Sequence, residues 1–197
     1  MNQIRSQGGV ASAHETDLGV PTNIPRLFDL CEAQLGPVDI LINNHTHCVP
    51  ETFDPELVTA EESEVQLVSA AGFDAHFSVN TRAYALMMSE YLQRYLHRQA
   101  KGGRIINLST DAAHAHIANV SYAASKHAIE SYSRSAALEM GIYSITVNTV
   151  APGPIQTGYL TPEAEAEIGA NTPLRRLARP KTSPTPSCFS LRNRRAG

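Results

Sequence analysis

An α/β fold built around a parallel sheet is the architecture this sequence predicts, and two patterns predict it. Three short β-rich runs, at residues 38–42, 104–108 and 145–150, are separated by stretches of helical periodicity. Strands alternating with helices give βαβ units and therefore a parallel sheet. Each run also ends in polar or turn-forming residues: Asn43-Asn44, Ser109-Thr110 and Ala151-Pro152-Gly153. In such sheets ligands bind beyond the carboxyl ends of the strands, so these three ends form the candidate site.

Along the chain, residues 1–22 are expected to be irregular or a partial strand. Leu27, Leu30, Cys31 and Leu35 recur at helical spacing, and Gly36 follows in the position that favours a left-handed helix end. After the strand at 38–42, residues 45–70 form a polar, acidic connection, with a short helix expected at 60–69. Phe73, Phe77, Tyr84, Met88, Tyr91, Leu92 and Tyr95 mark a long helix at 73–99. These tyrosines, and the Met87-Met88 pair, read as core. Gly102-Gly103 precede the second strand, and a loop runs to Val120. A helix then spans 121–140, stopped by Gly141. The strand at 145–150 is broken by Pro152-Gly153-Pro154. Residues 181–197 contain four cations, no acid and no apolar period, so a disordered basic tail is expected there, after one domain at 1–180.

A length of 197 residues suits one domain, and a formal charge of −3 argues against nucleic acid as a main partner. Cys31, Cys48 and Cys188 are scattered, with no CxxC pair, which suits a reducing, cytoplasmic compartment. The polar N-terminus does not read as a signal peptide. No apolar run approaches the roughly eighteen residues of a membrane span. His45-x-His47, which Cys48 follows, and His114-x-His116 lie in predicted loops without a convergent ligand set, so no metal site is expected. His114 and His116 could line a pocket before the helix at 121–140.

The chemistry-bearing pair is Tyr122 and Lys126, four residues apart in Ser121-Tyr-Ala-Ala-Ser-Lys126. On a helix these positions share a face. A free phenol, with a pKa near ~10, is a poor acid/base at neutral pH, and a neighbouring ammonium favours its ionised form. The pair is therefore a candidate proton-transfer device.

With these residues in this order the chain resembles the short-chain dehydrogenase/reductase family, on the pattern of the 3-oxoacyl-ACP reductases. The family's Tyr-x-x-x-Lys matches Tyr122 and Lys126, and its Asn-Asn-Ala-Gly appears as Asn43-Asn44-His45-Thr46. Its Pro-Gly turn with a following Thr matches Pro152-Gly153 and Thr157. Its helix Asn matches Val79-Asn80, and its acidic residue after the third strand matches Asp17-Leu18. The likeness runs from about Ala11 to about Pro180. It departs in three ways. The glycine-rich turn that cradles the cofactor pyrophosphate has no counterpart, and Gly8-Gly9 is no substitute for it. The last helix and strand give way to the basic tail. The catalytic hydroxyl is Ser109 by its distance from Tyr122, or Thr110 by its distance from the strand; Ser109 is preferred.

The resemblance implies a partial Rossmann-like, doubly wound parallel sheet lacking the first βαβ unit. It implies an oxidoreductase passing a hydride between NAD or NADP and a carbonyl or alcohol, with Tyr122 as acid/base. Lys126 would lower the tyrosine pKa and hold the nicotinamide ribose. Ser109 would bond the substrate oxygen, and Asn80 would hold a water leading to Lys126. Asp17 would contact the adenine and Asn43 the adenosine ribose. Pro152, Gly153, Ile155 and Thr157 would border the nicotinamide carboxamide. Helices 73–99 and 121–140 would pack against another subunit in a homo-oligomer, the second offering small Ala123, Ala124 and Ala128. Two alternatives stand beside this: a non-catalytic remnant, and a cofactor-free relative resembling the halohydrin dehalogenases. The latter carry Arg where this chain has Lys126.

Overall fold

The computed structural model describes residues 2–58, 64–158 and 160–180. In chain order the elements are α1 (Asn2–Ser6), α2 (Asn23–Leu35), β1 (Ile40–Asn43), β2 (Glu51–Thr52) and β3 (Gln66–Leu67). Then come α3 (Ala70–Phe77), a π-helical turn (Ser78–Arg82), α4 (Ala83–His97), β4 (Arg104–Leu108), α5 (Val120–Met140), β5 (Thr146–Val150) and α6 (Pro162–Asn171). The three predicted strands form one parallel sheet in the order β1-β4-β5. Ile40 stands opposite Arg104, and Arg104 opposite Thr146. This is a partial Rossmann-like parallel sheet.

Burial follows position in the sheet. The central β4 buries Ile105 and Ile106 completely, as expected of a parallel strand covered on both faces. On the edge strand β1 the alternation is visible: Leu41 and Asn43 are buried, Ile40 and Ile42 exposed. α4 buries Tyr84, Met87, Met88, Tyr91 and Tyr95 along one stripe, the helical period read in the sequence. Ile24 and Phe28 of α2 and Ala136 and Met140 of α5 complete the core. One polar line crosses it. Asn43 Nδ2 donates to Asn107 Oδ1 at 2.8 Å, and Asn107 Nδ2 donates to Ser133 Oγ at 2.8 Å. These bonds tie the ends of β1 and β4 to α5 and pair the buried Asn107 amide, while Asn43 Oδ1 is buried without a partner among the described residues.

Several expectations need correction. Asn2–Ser6 is a short helix within the segment expected to be irregular or a strand. Of the helix expected at 60–69, residues 60–63 lie outside the described residues. The part that is described is not helical: Gln66–Leu67 pairs in parallel with Glu51–Thr52, and a helix starts only after the Ser69 cap. The long helix expected at 73–99 is α3 and α4 joined by the π turn, where Ala83 N–H reaches back to the Ser78 carbonyl. π turns recur at functional sites. α5 does end at Met140 with Gly141 as its cap, as expected, but Gly141 is not the left-handed residue of the turn that follows. Its φ is −58°, a tight turn continues over Gly141–Tyr143, and Ser144 takes the positive φ of 61°. Gly36 does end α2 at φ 82°. The basic tail at 181–197 lies outside the described residues.

Glu51 of β2 is a buried carboxylate, 1% exposed, seated against Gly72 on the first turn of α3. His76 flanks it, with Nδ1 at 3.7 Å from Glu51 Oε2. The His76 ring bonds on both sides, donating from Nδ1 to the Gly72 carbonyl and accepting the Val49 N–H at Nε2.

Candidate active site

The site gathers at the carboxyl ends of β1 and β4 and the start of α5. Tyr122, half-buried on the first turn of α5, has its phenol close enough to the side chains of Thr110 and Thr46 for both hydroxyls to act on its titration. Thr110 is extended at the end of β4, with φ −151°, and its oxygen also caps the Ala112 N–H at 3.2 Å. Thr46 comes from the loop after β1. Burial pushes the Tyr122 pKa up, the nearby Cys48 thiol adds to that, and the two threonine hydroxyls pull it partly back.

Lys126 is 2% exposed. Its Nζ donates to Tyr84 Oη at 3.0 Å and to the Leu108 carbonyl at 2.9 Å, and lies 4.8 Å over the Tyr84 ring. Burial pulls its pKa down from 10.5 to about 8. Two expectations are corrected here. The ammonium pairs with Tyr84, on another helix, and the groups acting on the Tyr122 phenol are Cys48, Thr110, Thr46 and Asp111. The Tyr122 phenol is accordingly raised, not lowered.

The preference for Ser109 is also corrected. Ser109 is buried and donates to Glu130 Oε1 at 2.8 Å, deeper along α5. Thr110 is the hydroxyl that meets the phenol.

Asn80 sits on the π turn, fully buried, and clamps the loop after β1. Its Oδ1 accepts the His47 N–H at 2.7 Å and the Thr46 hydroxyl at 3.2 Å; its Nδ2 donates to the His47 carbonyl at 2.8 Å and to Ser125 Oγ at 3.0 Å. The side chain is thereby occupied, so the expected water would need the backbone instead. Asn43 is also turned inward: its side chain, 1% exposed, donates to Asn107 inside the sheet, and its Oδ1 is buried without a partner among the described residues. Asp17 is exposed and caps its own turn, accepting the Gly19 N–H at 2.8 Å, beside a cavity of about 350 Å³ lined by Glu15, Asn23 and Arg26. Pro152 accepts the Asp111 N–H at 3.1 Å, which holds its turn beside Thr110. Gly153 lies against Asp111, where an added Cβ would come within 3.0 Å of the carboxylate. Ile155 bridges to Ala178, and Thr157 is exposed further along the same segment.

Sequence reasoning missed Thr46, Tyr84 and His45. His45 packs its ring 4.3 Å from that of Tyr84 and is held neutral by burial, with its pKa pulled down to about 4. His114 stacks near His127 around a separate, mostly apolar cavity of about 670 Å³ that also takes in Phe53 and Ile117. No helix among the described residues is long and apolar enough to cross a membrane.

A family model described as enoyl-(acyl carrier protein) reductase matches residues 1–189. The chain is 32% identical over 185 residues to an NADPH-dependent aldehyde reductase-like chloroplastic protein of Arabidopsis thaliana, covering 91% of this chain and 64% of that one. It is 31% identical over 186 residues to the 7alpha-hydroxysteroid dehydrogenase of Escherichia coli (strain K12), covering 92% and 67%. A short-chain type dehydrogenase/reductase of Picea abies is 32% identical over 170 residues, covering 84% and 58%. The chain thus spans between 58 and 67% of the length of these three relatives. A match along nearly the whole chain, on a parallel sheet whose strand ends gather Tyr122, Thr110 and Lys126, places it in the short-chain dehydrogenase/reductase family of oxidoreductases.

Proposed function

We propose that the chain carries the proton-transfer half of an oxidoreductase site that interconverts a carbonyl and an alcohol with a nicotinamide cofactor. The meeting of the Tyr122 phenol with Thr110, beside the buried Lys126, carries this reading. The relatives support the substrate class, since one is named for an aldehyde and another for a hydroxysteroid. When bound, the cofactor supplies the hydride. The rest falls to the chain. Tyr122, kept protonated by its raised pKa, is set up to give its proton to a carbonyl oxygen. Thr110 rather than Ser109 is the hydroxyl placed to bond that oxygen as charge develops on it. Lys126, with its pKa near 8, re-supplies charge and a hydrogen bond to the nicotinamide ribose side.

The residues fit the nicotinamide end of NAD or NADP better than its centre. Lys126, Tyr122, Pro152, Gly153, Ile155 and Thr157 remain candidates for that end, and Asp17 for the adenine. Asn43 could contribute only backbone atoms. A pyrophosphate is ordinarily held by backbone N–H groups at a strand–glycine–helix turn, and this sequence contains none. Losing two charge-assisted bonds at roughly 1.5–3 kcal/mol each weakens binding by about two to four decades. We place the protein in the cytoplasm, acting on small molecules rather than nucleic acid, as a homo-oligomer through 73–99 and 121–140. The outer side of α5 leaves Leu138 83% exposed, as a helix with a partner would.

The test is calorimetric titration of the chain with NADH and NADPH, then carbonyl reduction at the highest cofactor concentration reached. Weak binding, and slow turnover that Tyr122→Phe removes, is expected. Turnover that survives Tyr122→Phe overturns the acid/base role. A micromolar dissociation constant overturns the argument from the phosphate turn. Neither binding nor turnover at any cofactor concentration favours a non-catalytic remnant.

A further inference from the structure

We propose that Tyr84 is the residue that positions Lys126, its phenol oxygen tying the ammonium to the loop after β1 and leaving one N–H directed to the site. An ammonium has three N–H donors. One goes to Tyr84 Oη at 3.0 Å and one to the Leu108 carbonyl at 2.9 Å. The third has no acceptor among the described residues. Tyr84 Oη accepts from Lys126 and shares its own hydrogen between the carbonyls of His45, at 2.9 Å, and Leu108, at 3.2 Å. The phenol is thus a knot joining α4, the end of β4, the loop after β1 and α5.

Tyr84 is 0% exposed, so it cannot touch a substrate and acts only through Lys126. Its ring holds the ammonium 4.8 Å above its centre on one side and packs His45 at 4.3 Å. Burial raises its pKa, so it stays neutral and accepts from the ammonium without taking a proton. The titratable groups around Lys126 are Tyr84, His45, Cys48 and, one turn earlier on α5, Tyr122; His45 is neutral above a pH of about 4, and burial raises the Tyr122 phenol and the Cys48 thiol, keeping both protonated. Tyr84 is therefore the nearest oxygen side chain able to stabilise the charged lysine. That the remaining N–H serves a ligand rests on the proposed oxidoreductase site; the hold of Tyr84 on Lys126 does not.

The test needs neither cofactor nor turnover. The chain has only three lysines, Lys101, Lys126 and Lys181, so lysine-labelled protein gives a spectrum simple enough to follow each one against pH by NMR. Lys126 is assigned by its loss in Lys126→Arg. In Tyr84→Phe, which keeps the ring, the Lys126 midpoint should fall by about one to two pH units, the worth of one hydrogen bond to a charged group. An unchanged midpoint overturns the proposal. If Tyr84→Phe does not fold, tyrosine-labelled wild-type protein decides. The Tyr84 ring-carbon signal should move with the Lys126 titration and at the same midpoint; a signal that ignores it overturns the proposal. Should these results hold while carbonyl turnover fails, the oxidoreductase reading falls and the positioning role stands.

Discussion

Lys126→Met should make the chain more stable at neutral pH while removing its proposed chemistry. The reason is the buried charge. Lys126 is 2% exposed, and its pKa falls from 10.5 to about 8 on folding. A group whose folded pKa is depressed binds fewer protons folded than unfolded between those two values. Stability therefore rises with pH from about 8 to about 10.5, and the full penalty of the charge is felt below about 8. At ~1.4 kcal/mol per pH unit that penalty is roughly 3 kcal/mol. Methionine fills much of the same channel without the charge, and the Tyr84 hydroxyl keeps its bond to the His45 carbonyl. That penalty already nets the bonds of the charged ammonium, so subtracting about 1 kcal/mol for those the neutral amine would make leaves a gain of about 2 kcal/mol at pH 7. Urea unfolding of both proteins from pH 6 to pH 10.5 measures it. The advantage of the methionine variant should be constant up to about pH 8, then shrink to nothing or reverse. A methionine variant less stable at pH 7, or a difference that does not change with pH, would refute the reasoning.

Two further outcomes follow from particular contacts. Thr110→Val should move the Tyr122 phenol titration further up, because the Thr110 hydroxyl pulls it down, whereas Ser109→Ala should leave it in place, its hydroxyl being committed to Glu130. Ultraviolet titration against Tyr122→Phe reads this, and an equal shift in both variants would restore Ser109 as the active hydroxyl. Gly72→Ala should destabilise by about 1–3 kcal/mol in urea unfolding, the opposite of what Gly→Ala usually does in a helix, because the new Cβ would fall within the Glu51 carboxylate. The loss should be recovered on the Glu51→Ala background, and an additive double variant would show that the clash is not the cause.

The sheet was legible because its strands are dense in β-branched residues and its helices carry a clear stripe. Ile105 and Ile106, or Tyr84, Met88, Tyr91 and Tyr95, announce burial without any knowledge of partners. The stretch between β2 and α3 was not legible, because a two-residue strand such as Gln66–Leu67 has no period to read. The end of α5 was legible at Gly141, but not the form of the turn after it. A glycine favours a left-handed helix end but does not compel one, and here the turn closes three residues later at Ser144.

The candidate site divides along the same line, between what spacing fixes and what only distance in space fixes. Spacing puts Tyr122 and Lys126 on one face of α5, but a lysine's long stem then goes where its ammonium is best solvated by protein atoms. For Lys126 that is a phenol 42 residues earlier in the chain, which no local rule reaches. The choice between Ser109 and Thr110 fails differently. Successive residues at a strand end point to opposite faces, so an uncertainty of one residue in the alignment exchanges the two faces outright. One hydroxyl must turn inward beneath α5, where Glu130 receives it, and the other must turn toward Tyr122. Nothing in the order Ser-Thr says which. The inward position is the one that needs a buried acceptor, and Glu130 lies two turns of helix beyond Tyr122, on the same element. A hydroxyl at the end of β4 whose neighbour on α5 is an acid is therefore the one to discount, and the adjacent hydroxyl the one to place in the site.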